Sequence, residues 1–155
     1  MLGEYQNAEQ YYLEWRKVEE NLDLDLERLR DHEIGYVYYQ LGRTEEAEKI
    51  FAEQIKRMES ELDNDNITTT EIYLARIYAF TGERDKALDY LKRFSENKGF
   101  KAEVPGWDDF ILVDPFFESL RDDPEFNAIV KQAQEAKAAL RAQVRGMEER
   151  GELTL

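Results

Sequence analysis

The sequence predicts an all-α fold of antiparallel helical hairpins stacked on one another, followed by a short helix and a long helix that caps the stack. Three observations carry this expectation. A glycine-centred pattern recurs along the first hundred residues: Leu2-Gly3, Leu41-Gly42 and Thr81-Gly82, each with alanine five positions later (Ala8, Ala47, Ala87). Four positions beyond each alanine stands Tyr12, Phe51 or Leu91. All three prolines (Pro105, Pro115, Pro124) lie beyond this stretch, so the repeating part is free of the strongest helix breaker. Apolar residues between the glycines keep three-four spacing, the mark of helices with one buried stripe.

Composition frames what such a fold can do. The 155 residues hold 35 acidic and 21 basic side chains, a net charge of −14, beside eight Phe, nine Tyr and two Trp. That density of aromatics beneath a charged surface supports a real core. The acidic balance argues against nucleic acid, which needs a basic stripe to neutralise phosphates. With no cysteine and only His32, disulfides, thiolate chemistry and zinc sites built on two imidazoles are excluded. No apolar run reaches the ~20 residues that span a bilayer, and no signal-peptide pattern opens the chain. The expected location is the cytoplasm, with no membrane partner.

The hairpins follow element by element. The first helix, starting near Glu4, carries Ala8, Tyr12, Trp15 and Val18. The next presents Ile34, Tyr38 and Leu41 as an i, i+4, i+7 stripe and ends at Gly42, where a left-handed residue is required and the missing Cβ removes the penalty. Thr44 is expected to cap the following helix, and Ala47 in its first turn lets two helices approach closely. Thr68 with Glu71 reads as a capping box for a helix bearing Leu74, Ile77, Tyr78 and Phe80. Gly82 ends that helix, and Ala87 opens its partner as Ala47 does. Beyond residue 98, Gly99, Pro105 and Gly106 mark a loop-rich connection, with a short turn around Trp107 to Leu112. Asp114-Pro115 and Asp123-Pro124 each pair an acidic N-cap with proline at N1. They start a short helix over 115–121 and a long one from Pro124 to about Arg150, in which Phe126, Ile129, Ala133, Ala136, Leu140 and Met147 keep helical spacing.

Ile34, Gly35, Tyr38, Gly42, Ala47 and Phe51, and then Leu74, Ala75, Tyr78, Gly82, Ala87 and Leu91, resemble the tetratricopeptide repeat (TPR), a helix-turn-helix unit of about 34 residues. The glycines here are 39 and 40 apart; the extra residues fall near Asp63-Asn64-Asp65-Asn66, read as a longer solvated loop. The usual helix-terminating proline is absent. The resemblance implies a short right-handed solenoid over residues 1–98, comprising a partial repeat (1–22) and repeats at 28–62 and 68–98. The C-terminal loop and capping helices occupy 99–155. Gly3, Ala8 and Tyr12 match the second half of a repeat whose first helix is missing, so the chain is expected to be a piece of a longer protein. The stretch from Asp114 to Phe126 resembles the tail that follows such repeats in bacterial multidomain signalling proteins.

The resemblance also implies function: a non-catalytic module that binds a protein or peptide through its concave face. The residues that match that face are Glu33, Tyr36, Tyr39, Gln40, Tyr73, Arg76 and Phe80, with Arg76 as the principal cation. Relatives that clamp a peptide's terminal carboxylate use lysine, asparagine and arginine on these faces; only Arg76 matches, so such a peptide is not expected. The competing possibility is that Trp107, Phe116 or Phe117 fills this groove from within. His32 reads as a partly exposed helix histidine without a nucleophile at a recognisable spacing. Asp63 to Asn66 fails as a calcium loop, because Ile67 stands at a ligand position and glycine and glutamate are missing further on. No catalytic residue, metal or cofactor is expected. The alternative function is self-assembly, a weak homodimer through the first helix, whose apolar face lacks a partner, or through the last.

Overall fold

The computed structural model describes residues 2–22, 31–62, 70–96 and 107–152. Seven α-helices and one 3-10 helix make up these residues, without a strand among them: α1 (Leu2–Leu22), α2 (Asp31–Gln40), α3 (Thr44–Glu61), α4 (Thr70–Phe80), α5 (Arg84–Glu96), α6 (Trp107–Val113), the 3-10 helix (Pro115–Leu120) and α7 (Pro124–Glu149). Two compact units divide the chain, Met1–Ile77 and Tyr78–Leu155. The Thr68 cap, the loop at 63–66 and the Gly99–Gly106 connection lie outside the described residues, as does the Trp107 side chain.

The two turn glycines behave as their positions require. Gly42 and Gly82 have φ of +78° and +84°, and both close the Schellman motif. The Arg43 amide donates to the Tyr38 carbonyl at 2.9 Å and the Gly42 amide to Tyr39 at 3.0 Å. In the second turn the Glu83 amide donates to Tyr78 at 2.8 Å and Gly82 to Ala79 at 3.4 Å. A cation then covers each tyrosine that anchors the motif: Arg43 lies 3.8 Å from the Tyr38 ring centroid and Lys86 4.6 Å from that of Tyr78.

In the first unit α2 packs between α1 and α3. Ile34, Ala47, Phe51 and Met58 are buried. Gly35 is needed here for contact: a Cβ at this position would sit 2.7 Å from Cε1 of Phe51. The Tyr12 hydroxyl donates to Asp31 at 2.6 Å, and Arg43 pairs with Glu9 and Glu46. Ascending residues of α1 thus meet descending residues around α2, which makes the two helices antiparallel.

The second unit is built on aromatic contacts. Tyr78 stacks on Tyr90 with centroids 5.7 Å apart, and Phe117 lies 5.6 Å from Phe126. Asp114 accepts from the Phe116 amide at 3.0 Å, and Asp123 accepts from Glu125 and Phe126 at 2.8 and 3.2 Å. Both Asp-Pro pairs therefore cap their helices as expected. Arg84 at the start of α5 also holds Asp123 at 2.6 Å; that bond, ahead of the two amide bonds, keeps the carboxyl below its ordinary range. The first half of α7 packs on α5, burying Phe126, Ile129, Val130 and Ala133, whereas Ala136, Leu140 and Val144 stay exposed.

Three expectations are corrected. The residue before α3 is Arg43, which makes no side-chain cap, and Thr44 is the first helical residue; the turn is held by the Schellman bonds and by Arg43 reaching Glu46 instead. Gly3 is not a turn residue: it lies inside α1 with ordinary helical backbone, and Ala8 is exposed. Tyr38 is half-buried, its exposed side shielded by Arg43, whereas Tyr78 is fully buried.

Candidate protein-binding face

Along α2 the side chains divide by helical spacing. Ile34 and Gly35 turn inward, while Glu33 and Tyr39 are exposed and Tyr36 and Gln40 half-buried. Glu33, Tyr36 and Gln40 stand at i, i+3 and i+7, one stripe of the helix. Tyr5 of α1 borders this stripe, its ring 6.2 Å from that of Tyr36 in an edge-on arrangement. Tyr73 of α4 is half-buried and lies 5.1 Å from the His32 ring.

His32 is the principal surprise. It is 0% exposed, not the partly exposed residue expected. Arg76 Nη1 lies 2.8 Å from its Nε2. A guanidinium offers only donors, so Nε2 accepts, and the ring is neutral with its proton on Nδ1. Arg76 is itself 7% exposed, and the same Nη1 lies 3.5 Å from Oε1 of Glu33. The cation expected on the open face is therefore turned inward; it holds His32 and draws the exposed Glu33 to the surface above it. A signal for this was present in the repeat: His32 corresponds to Ile72 at the 40-residue spacing, an apolar position, and Tyr36 corresponds to Arg76.

Phe80 belongs to the second unit and is covered there. Its ring lies 5.4 Å from that of Phe116, and Ser119 Oγ donates to the neighbouring Ala79 carbonyl at 2.9 Å. Phe80 is half-buried as a result. The structure brings Glu33, Arg76 and Tyr73 together around His32, leaves Tyr36, Tyr39 and Gln40 along α2 with Tyr5 beside Tyr36, and sets Phe80 against the 3-10 helix of the second unit.

Among the described residues no group of three His, Asp or Glu side chains could hold a metal ion. None of the described helices is long and apolar enough to cross a membrane.

No characterised protein and no solved structure matches the chain. Residues 27–97, which contain α2 to α5, match the family model of the tetratricopeptide repeat. Such repeats generally form non-catalytic scaffolds for protein–protein interaction. The described residues fold as an all-α protein, and residues 27–97 are similar to a tetratricopeptide-type helical repeat.

Proposed function

We propose that the chain is a non-catalytic interaction module that binds a peptide or partner protein through the α2 face of its first unit. The observation that carries this is the division of α2. Ile34 and Gly35 are buried, while Glu33, Tyr36, Tyr39 and Gln40 remain accessible, with Tyr39 47% exposed. Tyrosines of this kind offer large rigid contact area at low entropic cost, and they are enriched at binding hot spots. Arg76 serves here as a positioning residue beneath Glu33. The cytoplasm of a bacterium, within a larger signalling or regulatory protein, is the setting proposed from the resemblance of the C-terminal segment.

The test is a random peptide display library selected on the chain. Peptides that bind this face are expected to lose about 10- to 30-fold in affinity when Tyr39 and Glu33 are replaced by alanine, the ~1.4–2 kcal/mol of one hot spot. Circular dichroism should show the helix content unchanged, since both side chains are exposed. Unaltered affinity of every selected peptide would sink this reading.

A second reading, self-association, rests on α1. Tyr11, Trp15 and Val18 stand at i, i+4 and i+7 and are 72, 40 and 54% exposed, an apolar stripe of the kind that pairs with a second helix. Light scattering should show a dimer fraction that grows with concentration and disappears in Trp15→Lys. A monomer at every concentration removes this reading.

A further inference from the structure

A second site lies within the first unit, on the side of α2 opposite the tyrosine face. Asp31, Ile34 and Tyr38 of α2 form the floor of an open cleft of about 650 Å³. Tyr12, Leu13, Arg16 and Lys17 of α1 form one wall, and Ile50, Glu53, Gln54 and Arg57 of α3 the other. These α1 residues are distinct from the Tyr11–Trp15–Val18 stripe by helical spacing.

The lining is sorted along its length. Since α1 and α3 both run antiparallel to α2, Ile50 falls toward the Tyr38 end and Arg57 toward the Asp31 end, where the Tyr12–Asp31 bond also places Leu13, Arg16 and Lys17. The apolar end is floored by Ile34 and Tyr38. Arg16, which is already engaged, Lys17 and Arg57 share the lining with two carboxylates, Asp31 and Glu53, in a chain whose net charge is −14. One of those carboxylates is already engaged, because Asp31 accepts the Tyr12 hydroxyl at 2.6 Å. Burial, and then that bond, push the Tyr12 phenol above its ordinary range, so it stays a neutral donor.

Arg57 is the telling group. Its Nη2 donates to Gln54 Oε1 at 2.9 Å rather than pairing with Glu53 one turn earlier. Its Nε is buried without a hydrogen-bond acceptor. A buried donor without an acceptor is costly, and a carboxylate is the acceptor that fits a guanidinium best. Lys17 of the facing wall is exposed.

The geometry points to a docking cleft for a partner-protein segment that carries an aliphatic or aromatic side chain followed closely by an aspartate or glutamate. The apolar group seats against Ile34, Tyr38 and Ile50, and the carboxylate bridges Arg57 and Lys17. The wall from Ile50 to Arg57 rises about 10 Å, room for roughly three extended residues. An open cleft of this length covers one side of a chain, whereas a small-molecule pocket encloses its ligand. The cleft shares no residue with the α2 tyrosine face, and the two readings stand or fall separately.

The peptide library selected on the full chain tests this. The expected result is a family of peptides with Asp or Glu within two or three positions of Leu, Ile or Phe. A fluorescein-labelled capped peptide from that family should lose at least tenfold in affinity to Lys17→Glu and to Arg57→Gln, and keep its affinity for Tyr39→Ala. Replacing its acidic residue by the amide should cost as much. Lys17 is exposed, so its variant reads binding even if Arg57→Gln were to unfold the chain. The inference is overturned if no acidic family is enriched, or if neither cleft variant weakens the peptide. It is equally overturned if the amide peptide binds as well as the acid, or if light scattering shows that the peptide only displaces a second copy of the chain. Peptides sensitive to Tyr39→Ala alone would overturn the cleft and leave the tyrosine face standing.

Discussion

Phe126→Ala is expected to cost about 3–5 kcal/mol of stability, the range for truncating a buried phenylalanine. Phe126 is 0% exposed and meets Phe117 at 5.6 Å. It sits in the first turn of α7, directly after the Asp123 cap, so its ring secures that helix end to the second unit. Ile129 and Val130 are too small to refill the space, and Phe117 is fixed on the 3-10 helix. Such a loss is a large share of the ~5–15 kcal/mol available to a folded domain. Urea denaturation should show the midpoint falling, and Phe126→Leu should recover much of the loss by keeping most of the volume. A change under about 1 kcal/mol would mean that the ring is not packed as described.

His32→Leu is the second large effect, at about 2–3 kcal/mol, because it strips a buried guanidinium of an acceptor. The leucine fills the space but offers nothing to Arg76 Nη1, which lies 2.8 Å from the imidazole nitrogen. His32→Gln can present an amide oxygen in place of Nε2 and should restore part of the stability. In His32→Leu with Arg76→Leu both partners are removed, and the double variant should be more stable than the sum of the two single losses predicts. Strict additivity would show that the two side chains do not act as a pair. Because Arg76 also faces Glu33, Arg76→Leu alone should loosen Glu33 and weaken peptides that depend on the α2 face.

The local punctuation of this chain was legible because each device needs only neighbours in sequence. Gly42 and Gly82 close their helices, Ala47 and Ala87 are wholly buried, and Asp114 and Asp123 cap the helices that their prolines begin. Gly3 carries the same Leu-Gly and Gly-x4-Ala signature, yet its backbone is helical and it closes no turn. In the first turn of α1 it is simply tolerated. Thr44 was the better cap by residue type, but the Schellman bonds already order that turn and leave a side-chain cap little to add.

The site was less legible, because its partners are distant in sequence. His32 and Arg76 stand 44 residues apart, and a charged residue read alone is assigned to solvent. Only their pairing makes burial tolerable for both. Phe80 was legible as an aromatic on the right helix face; that Phe116 covers it depends on where the chain returns after residue 106. The cleft of the first unit escaped for a different reason. Arg16, Lys17 and Arg57 lie on helices whose charges look like ordinary solvated faces, and nothing in their local spacing says that they converge.

The uneven seating of α7 gives the second unit two levels of local stability. From Pro124 to Ala133 the helix is held by side chains sunk into the unit, and opening it exposes Phe126, Ile129 and Val130 to water. From Ala136 outward that protection is absent, and the hydrogen-bonded turns rely on the intrinsic preference of Ala136, Ala138, Ala139, Leu140 and Ala142 for helix. A stretch of that length is marginal on its own and persists as an extension of an already nucleated helix. The outer turns can therefore unwind from the Gly151 end in a sub-global opening that leaves the core intact, at a small fraction of the cost of global unfolding.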